Sequence, residues 1–367
     1  MKIEILKENL DKAITVTSKV SNKNLSLPVL GCVLFVVGDG RAVVRSTNLD
    51  VSIEATLKAK IIEDGVIAVP AQTLAQTISA LSDMKITLSA NNDGNSLTIN
   101  GERGTTTITT VDPAEFPTLP YVKAGESSVS VPTNNFNTAL KSVVFSASTS
   151  SVKPELASVA LSLKKGELIA AATDSFRLAE VRVPVKVKHS FDTVLIPARN
   201  VPDILRVVEG GGEVEVRIGE NQCTFVSDVG YITSRTIDGA FPDYQAIIPK
   251  DSVASATCLR EDAVRAFRKV SIFTDSFNQI HISFRLTEKT FSIRAVNASV
   301  GEAVDNIPAV LEGEDIDINF NARYIMDALA VVSGDSVHFS SAGAGKPMLI
   351  TDVPHKGFTY LVMPMNR

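Results

Sequence analysis

Leu10, Ala13, Ile14 and Thr17 fall at the i, i+3, i+4, i+7 spacing that lines up four side chains on one stripe of an α-helix. The stripe returns at Phe136, Ala139, Leu140 and Val143, 126 residues on, and at Ala263, Ala266, Phe267 and Val270 after a further 127. A second series trails each of these by about 60 residues: Leu74, Ile78 and Leu81; Val201, Leu205 and Val208; Ile325, Leu329 and Val332. It is introduced each time by a matching tripeptide, Pro70-Ala71-Gln72, Pro197-Ala198-Arg199 or Asn321-Ala322-Arg323. Pro70 and Pro197 are expected in the first helical turn, where a missing N–H is harmless, and Asn321 is suited to cap. A threefold repeat with two helices in each copy therefore organises the chain.

Between the helices the pattern changes to strict alternation, as in Leu161-Ser162-Leu163, Glu213 to Ile218 and Phe291 to Arg294, which predicts strands. Strands outnumber helices, so they cannot be parallel strands each returning through a helix; the expectation is α+β, with a pair of helices packed on antiparallel sheet in every repeat. Phe116 to Pro120 and Phe241 to Tyr244 read as linkers, giving domains 1–125, 126–250 and 251–367. Asn91 to Asn95, Gly210 to Gly212 and Gly343 to Gly345 have neither Walker nor Rossmann spacing and read as turns. Met1 to Ile5 alternates like a strand rather than a signal peptide, and the longest apolar run, Val29 to Val37, is far short of a bilayer span. A soluble, cytoplasmic protein is expected.

Charge complicates the picture. The 367 residues carry a net charge of -5, a field that repels polyanions unless basic residues are gathered in one place. They are: helix windows 7–24, 134–148 and 259–270 carry +2, +1 and +2, the windows 71–82, 199–209 and 322–332 are neutral, and the remainder of the chain holds -10. Chemistry is sparse. Cys32, Cys223 and Cys258 are too few and too scattered for a disulfide framework or a Cys-x-x-Cys metal site. His189, His281, His338 and His355 are isolated, with no His-x-x-x-His, and Ser146 to Ser151 has no nucleophile-elbow context. Asp174 sits in a strand-to-turn segment where Asp satisfies backbone groups. No catalytic residue, metal or cofactor is expected.

The residues now resemble a known family, the bacterial DNA polymerase III β subunits or β sliding clamps. The resemblance spans the whole chain and rests on Leu27-Pro28-Val29-Leu30-Gly31, on Ala172 to Ala179 (Ala-Thr-Asp-Ser-Phe-Arg-Leu-Ala), on Asp238 to Tyr244 and on the terminal Tyr360 to Met365. Departures are Ser175-Phe176, where the family often has Gly-His; Ala246, where it commonly has Arg; and the ending Asn366-Arg367 in place of Arg-Leu. The resemblance implies a head-to-tail homodimeric ring of six clamp domains, helices inside, around duplex DNA. It implies a processivity factor that slides without reading sequence, binds a clamp loader and tethers replicative and other polymerases and repair proteins by their short peptides.

By position, the peptide cleft between domains 2 and 3 would comprise Leu156, Thr173, Ser175, Phe176, Arg177, Leu178, Pro242, Ile247, Asn321, Tyr324, Leu361, Met363, Pro364 and Met365. Its Met and Leu residues offer a deformable apolar floor, with Arg177 expected to hold a polar group at the rim. Phe176 and Ala246 imply a less polar rim. The implied dimer contact is Thr106 and Ile108 against Ile272 and Phe273. Lys12, Lys19, Lys23, Lys141, Lys153, Arg199, Arg206, Arg265, Arg268, Lys269 and Arg323 would face DNA, contacting phosphates without reading bases. A hydrolase using the same cleft and an interaction scaffold without DNA handling are the alternatives the residues leave open.

Overall fold

The computed structural model describes residues 1–21, 27–91, 94–125, 128–186, 189–354 and 357–365. Each third of the chain is built from two half-repeats of one design, lead strand, helix and three more strands, with one additional strand between the halves in the first and last thirds. The first holds β1 (Lys2–Leu6), α1 (Lys7–Thr17), β2 (Cys32–Gly38), β3 (Arg41–Thr47), β4 (Val51–Thr56), β5 (Ala59–Glu63), β6 (Gly65–Pro70), α2 (Ala71–Ala80), β7 (Lys85–Ala90), β8 (Ser96–Asn100) and β9 (Thr105–Thr109). The second holds β10 (Ser128–Pro132), α3 (Thr133–Lys141), β11 (Ser158–Lys164), β12 (Glu167–Thr173), β13 (Arg177–Pro184), β14 (Phe191–Pro197), α4 (Val201–Val207), β15 (Glu213–Ile218), β16 (Gln222–Val226) and β17 (Gly230–Arg235). The third holds β18 (Ala254–Leu259), α5 (Arg260–Ser271), β19 (Gln279–Arg285), β20 (Thr290–Asn297), β21 (Gly301–Ile307), β22 (Ala309–Gly313), β23 (Ile316–Asn321), α6 (Ala322–Val331), β24 (Ser336–Ser341), β25 (Met348–Val353) and β26 (Phe358–Val362).

The chain forms two compact units, residues 1–134 with 199–236 and residues 135–198 with 237–367. The first unit contains a five-stranded sheet, β5-β1-β7-β8-β9, and an eight-stranded one, β10-β15-β16-β17-β4-β3-β2-β6. The second contains a nine-stranded sheet, β14-β11-β12-β13-β26-β25-β24-β18-β22, and a four-stranded one, β21-β20-β19-β23. Pairing is antiparallel throughout, and the lead strand of each half-repeat pairs with the first strand after the helix of the other half, as β1 does with β7 and β6 with β2. The long sheets are joined by third strands. Val51 of β4 lies opposite Ser234 of β17, and Arg177 of β13 opposite Val362 of β26. Two third strands, β9 and β21, end their sheets and pair with no further strand among the described residues.

The helical stripes are buried as their spacing predicts. Phe136, Ala139, Leu140 and Val143 are fully buried, as are Ala263, Phe267 and Val270, with Ala266 at 5% exposure. Thr17 completes the first stripe by donating its hydroxyl to the Ala13 carbonyl at 2.8 Å, which lets a polar side chain sit in the core. In the last third the core is aromatic: Phe339 stacks on Phe267 and meets Phe291, which tilts against Phe284. α5 opens with Glu261 and Asp262 and closes with Arg268 and Lys269, the order its backbone dipole favours. Asn321 caps α6 by accepting from the Arg323 N–H at 2.9 Å.

Two local expectations are corrected. Pro70 is the capping residue before α2 rather than part of its first turn. Pro197 ends β14, a 3-10 turn follows at Ala198–Asn200, and α4 starts only at Val201, where Pro202 fits the first turn. Its buried stripe is therefore Val201, Ile204, Val207 and Val208, and Leu205 is half-buried. The last strand stops at Val362, and Met363-Pro364-Met365 continues as irregular chain held by backbone bonds from Met363 to the Phe176 carbonyl and from Met365 to the Asn319 carbonyl, both 2.8 Å. Pro364 cannot donate to a ladder, which is why regular pairing ends there.

Candidate functional site

The turn between β12 and β13 is built by two side chains. Asp174 accepts the backbone N–H groups of Phe176 and Arg177 at 2.9 and 3.0 Å, so it closes the turn rather than offering a free carboxylate. Thr173 donates to the Arg177 carbonyl at 2.7 Å and accepts from Ser175 N–H at 3.1 Å, and Ser175 takes a left-handed φ of 79°. This geometry turns Phe176 outward, 63% exposed. Arg177 turns the other way. Its Nε donates to Asp174 at 2.9 Å and its Nη1 to Asp327 of α6 at 2.6 Å, while its guanidinium lies 4.4 Å from the Tyr324 ring centroid. Phe145 flanks it at 5.7 Å. Tyr360 donates its hydroxyl to the Tyr324 carbonyl at 2.8 Å, fixing that helix end on β26.

Arg177 is thus a bolt between the turn and α6, not a free rim group. Burial by itself lowers the Arg177 pKa, but the bond to Asp327 and the Asp174 charge outweigh it and raise the value. Burial raises the Tyr324 pKa, with Asp174 adding to the effect.

Around this bolt the second unit brings together apolar groups from distant stretches. Leu178 and Leu361 face each other across β13 and β26 and are 1% and 2% exposed. Met363 is joined to Phe176 by its backbone bond and is 39% exposed. Leu156 and Thr173 are buried, Ser175 and Pro242 are exposed, Asn321, Tyr324, Pro364 and Met365 are half-buried, and Ile247 is 54% exposed. Pro242 and Ile247 flank Tyr244, whose hydroxyl bonds the buried Glu180 of β13 and ties their loop to the same sheet. Sequence reasoning missed Asp327 and Phe145. Asp327 stands three residues after Tyr324, on the same helical face, which was the available signal.

Of the residues implied for a dimer contact, Thr106 and Ile108 lie on β9, and Ile272 and Phe273 follow the end of α5. On β9, Ile108 is buried at 5% exposure and Thr106 half-buried, leaving Thr105, Thr107 and Thr109 outward along an open edge. In the last third Ile272 is 68% exposed and Phe273 half-buried, and the sequence did not reveal how many other apolar side chains are exposed there: Phe277, Val296, Val300 and Val304 are 49% exposed or more.

Of the basic residues, Lys12, Arg199, Arg206 and Lys269 pair with Glu8, Asp50, Asp203 and Asp305 at 2.6, 3.0, 2.6 and 3.3 Å, and Arg265 pairs with Asp262. Lys19, Lys141, Lys153, Arg268 and Arg323 are exposed with no ion pair among the described residues. Lys23 and His355 lie outside the described residues. His281 bonds Asn319 and Asp317 at 2.9 and 3.0 Å, and His338 contacts Thr257 at 2.8 Å, with burial lowering its pKa. Among the described residues no three His, Cys, Asp or Glu side chains are placed to hold a metal ion, and no helix is long and apolar enough to cross a membrane.

Residues 1–120, 130–243 and 245–366 match, in order, the families described as the N-terminal, central and C-terminal domains of the DNA polymerase III beta subunit. A beta sliding clamp of Synechocystis sp. is 28% identical, the match covering 100% of this chain and 99% of the relative. The fold is that of the DNA polymerase III beta subunit of Thermotoga maritima, with a TM-score of 0.92 at 24% identity over 100% of this chain and 99% of that one. A sliding clamp of Pseudomonas aeruginosa, solved bound to griselimycin, superposes with a TM-score of 0.93 at 24% identity over 100% of both chains.

Proposed function

The chain belongs to the DNA polymerase III beta subunit family, the sliding clamps, and from that membership we propose how this DNA polymerase processivity factor works. Two copies close head to tail, β9 of each pairing with β21 of the other, so that a five-stranded and a four-stranded sheet become one. The contact combines strand-edge hydrogen bonds with burial of Ile272, Phe273 and their apolar neighbours. Ile108 supports β9 from behind, while Thr106 reaches the seam. The domains divide near residues 125 and 250. Duplex DNA passes through the ring, met by Lys19, Lys141, Lys153, Arg268 and Arg323, with the ion-paired Lys12, Arg199, Arg206, Arg265 and Lys269 able to exchange an exposed carboxylate for phosphate at small energetic difference.

Replicative and other polymerases, the clamp loader and repair proteins dock by short peptides whose apolar side chains enter the cleft floored by Leu178 and Leu361 and rimmed by Phe176, Ile247 and Met363. The protein has no catalytic site of its own, uses no cofactor and works in the cytoplasm. The observation that carries this reading is the ordered match of all three clamp domains along one chain. The test is retention: loaded clamp should elute with nicked circular DNA in gel filtration and run off the same DNA once linearised. Equal retention on both forms would defeat the topological mechanism. Griselimycin is the probe for the cleft, expected to bind one per chain by calorimetry.

A further inference from the structure

The turn that forms the cleft occurs twice. In the first unit, Thr47 donates to the Val51 carbonyl at 2.8 Å and accepts from Leu49 N–H at 3.0 Å, and Asn48 accepts the N–H groups of Asp50 and Val51 at 3.0 and 2.8 Å. These bonds reproduce those of Thr173 and Asp174, and Leu49 at φ 76° stands where Ser175 is at 79°. The joint beyond is the same as well: Arg235 N–H donates to the Asp50 carbonyl at 3.0 Å, as Met363 does to Phe176. The third turn of this kind, Asn297 to Gly301, is one residue shorter, since Asn297 pairs directly with Gly301 whereas Thr47 pairs with Ser52. The chain therefore carries two copies of one backbone scaffold.

The side chains on the two copies are opposite in character. Phe176 becomes Asp50, Arg177 becomes Val51, Met363 becomes Arg235 and, on the following helix, Tyr324 becomes Asn200. With no guanidinium at Val51, Asp203, which corresponds to Asp327, pairs with Arg206 instead. Asn200 turns to the Ser234 hydroxyl at 2.9 Å, and Arg199 bridges to Asp50 at 3.0 Å across the position that Phe176 leaves open in the other copy. An apolar side chain entering here would have to displace an ion pair and lie against Arg235, desolvating charges without partners for them.

We infer that the chain holds a second, silenced copy of the docking cleft, and that Asp50, Val51, Asn200 and Arg235 are the specificity-determining residues that restrict apolar peptides to the copy bearing Phe176, Arg177, Tyr324 and Met363. The inference rests on the docking reading above and explains why a twofold scaffold yields one site per chain.

Calorimetric titration with griselimycin reads it. The unaltered protein should bind one equivalent per chain, the reverse variant F176D/R177V/Y324N/M363R none, and the variant D50F/V51R/N200Y/R235M two. Two equivalents on the unaltered protein would overturn the inference, because the second copy would then already be open. One equivalent on the fourfold variant, with its melting curve and molar mass unchanged, would also overturn it. If that variant melts early, D50F/R235M, altered only at exposed or half-exposed positions, replaces it: a second saturable binding phase supports the inference and a single phase defeats it. No binding to the unaltered protein is a different failure, that of the docking reading itself.

Discussion

Arg177 shows how much one side chain settles. Its guanidinium joins Asp174, Asp327 and the Tyr324 ring at 11% exposure, so Arg177→Ala should lower stability by about 2 kcal/mol, as expected when charged hydrogen bonds lose one partner. It should also weaken griselimycin at least tenfold, because α6 is no longer fixed to the turn. Arg177→Lys keeps the charge but cannot span both carboxylates, and its affinity should fall between the two. A second residue-scale prediction concerns alkali. Burial pushes the Cys32 thiol up to about 11 and the Cys223 and Cys258 thiols up to about 12 from 9.0. The unfolded chain releases these protons first, so their contribution is complete below pH 9.0 and is lost as pH rises through the folded values. Denaturant titrations should give an unfolding free energy that declines from pH 9 to pH 12, less steeply in Cys223→Ala. The sequence made Asp174 legible because an Asx turn is local. It hid the Arg177 to Asp327 bond because the partners are 150 residues apart.

At the scale of elements, the helices were legible because a buried stripe repeats every turn and the threefold copy confirmed it. The start of α4 was not, since Pro202 competes with Pro197 for the first turn and only Pro202 is followed by a packed stripe. The exchange of lead strands between half-repeats left no trace in alternation, which fixes the face a side chain takes but not the strand beside it. The same limit hid the exposure of Val296, Val300 and Val304. Leu49 invites a test of turn strain: it is 50% exposed at φ 76°, and Leu49→Gly should raise stability by about 0.5 kcal/mol net, relief of the left-handed conformation exceeding the added freedom of the unfolded chain. Ile272→Asp, at 68% exposure, should leave the melting of the single chain unchanged and return the light-scattering mass from twice 39.2 kDa to 39.2 kDa.

For the whole molecule, a net charge of -5 and basic residues concentrated on helices argue for loose contact with DNA. Binding to short linear duplexes should weaken steeply as salt rises, while clamp already loaded on a closed circle should remain through the same salt range. That contrast, followed by gel filtration, separates threading from adhesion.

The two unjoined strands, β9 and β21, have a further consequence. In the proposed ring a pair of copies makes two identical seams, and each seam tethers the ends of the other. When one opens, its strands stay within reach at the effective concentration of a linked pair, about millimolar, and rejoin before the copies part. In the proposed ring one broken seam would be enough to admit or release DNA, whereas the two copies would part only if both seams opened at once. Residence time on DNA would then be set by how rarely and how briefly one seam opens, and a seam weak enough to open on demand would still make a long-lived ring.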